Sequence, residues 1–367
     1  MGSKLKVGDL VEVRSVREIL ETLDKKGQLE GLPFMPQMFQ YCGRRFRVYK
    51  RAHKTCDTVF PVRGRWMANA VHLETRCVGL GYGECQAGCL IFWKDAWLKT
   101  LKDEKSKSES SPRDTAIQHA AVQRDAVCTK QDVLADSRTP VQQDERDTVY
   151  VCQATQLPYA TTQLHWWDVR QYIEDYTSGN VGMWQIIKGG IYAIFYRLSV
   201  SRIRLGSVMR WFYDEFHTVW QGTLFPRHAG TIPLDQPTPA PANPLNLQPG
   251  ELVRVKTHTE ILKTLNIENK NRGLYFDAEM VPFCGGTYRV LKRVNRIIDE
   301  KTGRIVKLKN ESIILDGVFC QSRYSNCRMF CPRGIYSYWR EIWLERVFEA
   351  PTASQAEANK CSESAVV

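Results

Sequence analysis

Apolar and polar residues alternate in two stretches far apart in the chain, Leu10-Val11-Glu12-Val13 and Leu252-Val253-Arg254-Val255. Period-two alternation predicts a strand with one buried face. A hydroxyl residue with Glu three positions later follows each stretch, Ser15/Glu18 and Thr257/Glu260. That spacing is a capping box and predicts a short helix after each strand, the first ending near Asp24-Lys25-Lys26-Gly27. Further alternating runs follow: Arg45-Phe46-Arg47-Val48-Tyr49, Val71-His72-Leu73, Thr287-Tyr288-Arg289-Val290-Leu291 and Ile313-Ile314-Leu315. Asp299-Glu300-Lys301-Thr302-Gly303 reads as a hairpin turn. Between these regions Trp184, Ile187, Ile191, Ile194, Phe195 and Leu198 recur at helical spacing, with Asn180 placed to cap the helix. A second helix is expected from Ser207 to Trp220.

The two strand-rich regions, residues 8–98 and 250–344, are copies of one another. With an offset of 242 they match without a gap from Gly8/Gly250 to Asp57/Asp299. Met38/Met280, Cys42-Gly43/Cys284-Gly285, Arg47-Val48/Arg289-Val290 and Lys50-Arg51/Lys292-Arg293 carry the match. The Gly-acid-Leu-Val-x-Val opening and the strand order of each copy resemble SH3-like β-barrels. The resemblance implies an α+β protein of two repeated small β-barrel (SH3-like) modules, joined by a mainly helical segment.

Composition divides the rest of the chain. The expected layout is a basic module over 1–99 and a charged, aromatic-poor disordered linker over 100–148. A helical, aromatic-rich segment over 149–226 and a Pro-rich tether over 227–249 come next. The second module spans 250–348 and a disordered tail 349–367. The excess charge sits in the modules: residues 1–100 hold 17 basic and 10 acidic side chains, and residues 249–348 hold 18 and 11. Such a balance suits an anionic partner: nucleic acid, a phosphorylated ligand or an acidic protein surface. The N-terminal Met1-Gly2-Ser3-Lys4-Leu5-Lys6 lacks the apolar stretch of a secretory signal, and Lys6 stands where myristoylation wants Ser or Thr. No stretch reaches the ~18 apolar residues of a membrane helix. A cytoplasmic location is expected, with peripheral membrane contact through 184–210 the weaker alternative to helices packed on the modules.

In a reducing compartment the twelve cysteines point to metal ligands or core residues rather than disulfides. Each copy holds four, Cys42, Cys77, Cys85 and Cys89 in the first, Cys284, Cys320, Cys327 and Cys331 in the second. The last three read C-x7-C-x3-C and C-x6-C-x3-C. Four thiolates satisfy a tetrahedral zinc, so two zinc ions are expected, with Cys42 and Cys284 as either fourth ligands or core residues. An iron–sulfur cluster held by four cysteines makes the same demand and is the alternative. Cys152 could replace a ligand, and Cys128 and Cys361 fall in segments expected to be disordered. His53, Cys56 and His72 occur in the first copy only and could hold a thiolate nucleophile or a second metal, or be diverged strand residues. Phe92-Trp93 to Trp97-Leu98 and Tyr338-Trp339 to Trp343-Leu344 either cover the barrel ends or offer a stacking platform for nucleobases, with Lys50-Arg51 and Lys292-Arg293 on phosphates. His165, Asp168, Arg170, Glu174 and Asp175 form an acid–base set of no specific spacing.

Phosphate-loop, dinucleotide, G-x-S-x-G and H-E-x-x-H motifs are absent, which lowers the odds of an enzyme and leaves no catalytic residue to name. The reading is a non-catalytic, metal-stabilised binding or assembly protein engaging an anionic partner. Its alternatives are an iron–sulfur or thiol redox protein and a nucleic-acid binder.

Overall fold

Strand β1 (Leu10–Val13) places Val11 and Val13 wholly inside and leaves Leu10 and Glu12 half-buried, as its alternation requires. The computed structural model describes residues 4–59, 64–101, 127–139, 148–200, 211, 229–323 and 327–347. The expected helix Ser207–Trp220 falls outside them apart from Trp211, as do residues 102–126 and the tail. The protein is mixed α+β, with sheets dominating.

Helix α1 (Val16–Leu20) starts with the predicted capping box: Ser15 and Glu18 each accept from the other's backbone N–H. It stops at Leu20, short of the expected Asp24–Gly27, where a turn takes over. The first five-stranded sheet adds β2 (Arg45–Arg51), β5 (Ala70–Arg76), β6 (Leu90–Lys94) and β7 (Leu98–Thr100) in the order β6-β5-β2-β1-β7. Between β2 and β5 the chain makes β3 (Lys54–Cys56) and β4 (Gly64–Trp66). In a separate three-stranded sheet β4 lies between β3 and β8 (Thr162–Leu164) and pairs with both.

Residues 127–139 depart from the disorder expected of the linker. Thr129 and Asp132 form a capping box that starts helix α2 (Lys130–Ala135), and Val133 and Cys128 are buried. Helices α3 (Gln153–Ala160), α4 (Arg170–Thr177) and α5 (Met183–Val200) follow. Asn180 does not cap α5. Its amide instead bonds both backbone groups of Arg51, at 2.7 and 2.8 Å, imitating a strand partner at the end of β2. Helix α5 packs only in part: Gly189 lies so close to Met329 and Phe330 that a Cβ there would clash, while Trp184, Ile187 and Ile194 stay exposed. No helix among the described residues is long and apolar enough to cross a membrane.

In the second copy β9 (Leu252–Val255), α6 (His258–Leu262), β10 (Thr287–Ile298), β11 (Ile305–Phe319), β12 (Tyr336–Trp339) and β13 (Leu344–Arg346) repeat the plan, in the order β12-β11-β10-β9-β13. The predicted turn joins β10 to β11, with the Gly303 N–H donating to Asp299 O at 2.8 Å. Individual bonds also recur at the repeat offset. Arg47 donates to Gly8 O at 2.9 Å and Arg289 to Gly250 O at 3.0 Å. Gly43 and Gly285 have φ of 75° and 78°, a conformation open to glycine, and their N–H groups reach Val13 O and Val255 O.

The chain divides into two compact units that do not follow the copy boundaries. The first comprises Met1–Gly222, Asn295–Lys309 and Phe319–Tyr336; the second comprises Thr223–Val294, Asn310–Val318 and Ser337–Val367. The first thus includes the tip of the β10–β11 hairpin and the second cysteine triplet. In the second unit the Pro-rich stretch packs rather than hangs free: Leu247 is fully buried, and Pro239 O accepts from the Asn271 amide at 3.1 Å.

Candidate metal centre

The loop between β5 and β6 brings Cys77, Cys85 and Cys89 together because the Cys77 N–H bonds Cys89 O at 2.8 Å and the Cys85 N–H bonds Tyr82 O at 3.1 Å. Gly79, at φ 78°, presses onto the Cys85 backbone so closely that a side chain there would collide with it. Cys152, just before α3, completes the set: all four cysteines line one cavity of about 40 Å³, with Tyr82 and Gln153 also in its wall. Gln153 holds this corner by accepting from the Phe92 N–H and donating to Phe92 O, both at 2.8 Å. Burial pushes the Cys152 thiol up to about 12 and the Cys89 thiol well above its ordinary range. Both are therefore neutral thiols at pH 7 unless a cation draws their protons off.

The second triplet also lies in the first unit, and a cysteine of the first copy contacts one of its members, Cys331. The Cys56 N–H donates to the Cys331 sulfur at 3.1 Å. Cys56 is pulled below its ordinary value by a hydrogen bond with the Cys331 thiol, assisted by the charges of Arg333 and Arg328 against the cost of burial. Arg333 joins the two clusters. It lines the first cavity, donates to Cys56 O at 3.3 Å, stands 3.9 Å from the Cys56 sulfur and pairs with Glu300 at 2.6 Å. None of the eleven described cysteines is in a disulfide. No group of three or more His, Cys, Asp or Glu side chains among the described residues is arranged to hold a metal ion.

Cys42 and Cys284 sit elsewhere. Each ends a 3-10 turn, packs against a hydrophobic core and is absent from the cavity walls. Burial pushes Cys284 up to about 12. Cys284 belongs to the second unit and the Cys320–Cys327–Cys331 triplet to the first. The residues special to the first copy are likewise kept apart. His53 Nε2 lies 3.1 Å from Gln171 O and 3.3 Å from Asp175 Oδ1. His72 Nδ1 faces Ile91 O at 2.9 Å, and the Cys56 N–H is bonded to the Cys331 sulfur. The acid–base set is spent on ion pairs, Asp168 with Arg170 and Asp175 with the buried Lys54.

The platform reading fails on burial: Trp93, Trp97, Trp339 and Trp343 are all fully enclosed, so no base can stack on them. Arg51 is buried against Asp95 at 2.7 Å, and Arg293 is paired with Glu341 at 3.3 Å. A larger cavity of about 450 Å³ was not foreseen from the sequence. Tyr49, Tyr192, Phe319 and Phe330 form its apolar wall, Lys50, Lys188 and Arg323 bring charge, and no carboxylate lines it among the described residues. Its residues come from β2, from α5 and the turn before it, and from the end of β11 and the loop that follows, so no local pattern announces it.

No family model matches the chain, and no curated protein matches it.

Proposed function

We propose that the chain is a non-catalytic, metal-stabilised binding protein whose structural ion is zinc and whose partner is a small organic anion. The carrying observation is the convergence of Cys77, Cys85, Cys89 and Cys152 on one cavity. Rotation about χ1 between staggered wells repositions each sulfur while the backbone stays in place, so an ion can draw the four together. A zinc site made of four cysteines is coordinatively closed and staples chain segments without offering an open position for hydrolysis. The cavity suits a single ion better than an iron–sulfur cluster, which adds inorganic sulfides to its irons. Four thiolates on Zn²⁺ leave a charge of −2, and the buried Arg333 beside the wall offsets part of it.

The shared strand order of the two sheets supports SH3-like modules as the scaffold. The 450 Å³ cavity supports the anionic partner, since its size is ordinary for a small ligand and its lining charges have one sign.

Metal analysis of anaerobically purified full-length protein tests the reading. Zinc is expected, with one equivalent lost in Cys152→Ser and none lost in Cys42→Ser. Protein that folds and holds no metal overturns it. Iron with visible charge-transfer absorption replaces zinc by a cluster.

A further inference from the structure

We infer that Cys56 and Cys331 are a redox pair, a modification site at which a peroxide joins the two copies through a reversible disulfide. The inference stands apart from the zinc reading, since neither residue lines the cavity of the first triplet. Three contacts hold the stretch 329–333 along β3. Lys54 Nζ donates to Met329 O at 2.7 Å, the Cys56 N–H donates to the Cys331 sulfur at 3.1 Å, and Arg333 donates to Cys56 O at 3.3 Å. All of these residues belong to the first compact unit. The two thiols are free and also hydrogen-bond one another. A sulfur already against the Cys56 backbone and thiol needs only side-chain rotation between staggered wells to meet the Cys56 sulfur. Both cysteines are buried, but Cys331 lines the larger cavity, which gives a molecule as small as a peroxide its way in. Arg333 stands 3.9 Å from the Cys56 sulfur and favours the thiolate there.

The repeat supplies its own comparison. Position 298, the counterpart of Cys56, is a buried Ile on β10, and its N–H likewise donates to a sulfur of the opposite copy, Cys85, at 3.3 Å. The backbone contact is thus made in both directions, but only at Cys56 does a second thiol stand ready to be oxidised. In the reaction the Cys56 thiolate attacks one peroxide oxygen. The O–O bond breaks, and the departing hydroxide takes a proton from solvent and leaves as water. The Cys331 thiol then attacks the sulfenic acid formed on Cys56. The S–S bond forms, the S–O bond breaks, and the Cys331 proton leaves with the hydroxyl as a second water. Two electrons pass from the two sulfurs to the peroxide, and a dithiol restores the pair by thiol–disulfide exchange.

The full-length protein decides this. It is treated with one equivalent of hydrogen peroxide, its remaining thiols are blocked with iodoacetamide in urea, and non-reducing peptide mapping by mass spectrometry locates the linkages. A peptide linked through Cys56 and Cys331 is expected, absent before peroxide and lost again after dithiothreitol. In Cys331→Ser the sulfenic acid on Cys56 has no thiol to resolve it and should be trapped by dimedone. Because that variant could unfold locally, the linkage in the unmutated chain is decisive by itself. If other cysteines link while Cys56 and Cys331 are both recovered alkylated, or if either is found joined to a different cysteine, the redox pair is overturned. Recovery of both as thiols after an excess of peroxide that oxidises them in the urea-unfolded chain overturns it equally.

Discussion

His72 is fully buried on β5, with Nδ1 facing Ile91 O and no hydrogen-bond partner for Nε2 among the described residues. Burial, with Arg76 and Arg333 adding like charge against the help of the Ile91 carbonyl, lowers its pKa from 6.5 to about 3. Between these values the unfolded chain binds a proton that the folded chain refuses. Stability is therefore intact above about 6.5 and falls as pH drops toward 3, with a slope from this one group of at most about 1.4 kcal/mol per pH unit. Denaturant unfolding of wild type and His72→Phe at pH 7, 5.5 and 4.5 checks this. The difference between them should shift in favour of the variant as pH falls, and parallel curves would remove His72 from the account. The cysteines show at the same scale what one sequence conveys. The triplets were legible because their spacing is local. Cys152 could be named from the sequence only as a candidate substitute ligand, since it reaches the cavity of the first triplet through tertiary contacts that no spacing encodes. Cys42 and Cys284 drew attention by their symmetry, yet the neighbouring Gly43 and Gly285 explain the repeated pair by turn geometry.

The elements were more legible than their uses. Both capping boxes, the opening strands and the β10–β11 turn formed as the residue pattern required, because each depends on neighbours within a few positions. Of the two readings of the tryptophan pairs, burial favours the covering one over the stacking platform. Trp93 in fact closes a strand, and Trp97 follows in a 3-10 turn, so both turn inward. Equivalent packing surrounds both copies. Trp97 Nε1 donates to Thr22 Oγ1 at 3.1 Å and meets Phe34 edge-on at 5.2 Å; Trp343 donates to Thr264 Oγ1 at 2.8 Å and meets Phe276 at 5.4 Å. Trp97→Ala and Trp343→Ala should each cost about 3–5 kcal/mol, the usual range for emptying such a site. Chemical denaturation of the two variants measures it. A loss at one position alone would mean that the copies share sequence without sharing the physics of their cores.

At the scale of the whole chain, the net positive charge does not translate into a basic binding face made of the repeated Lys-Arg pairs. Arg51 and Arg293 are both engaged by acids of their own copies. What remains is the cation-lined cavity of the first unit, assembled from three distant stretches of chain. Burial lowers the pKa of Lys50 below its ordinary value, opposed by nearby Asp175, and an entering anion would favour its charged form. On the proposed reading, aromatic walls together with Lys50, Lys188 and Arg323 would favour an anion that has an apolar body over a bare inorganic ion. Phenyl phosphate is a direct probe. Calorimetric titration of the metal-loaded protein should show binding that weakens as salt is raised, because part of the attraction is screened within a Debye length. Inorganic phosphate should bind more weakly, and Lys50→Gln should weaken phenyl phosphate about tenfold, the equivalent of about 1.4 kcal/mol. A short single-stranded oligonucleotide separates this reading from a nucleic-acid interface. If the oligonucleotide binds with a steep salt dependence and phenyl phosphate does not bind, the partner is a nucleic acid held elsewhere and the cavity is not the site.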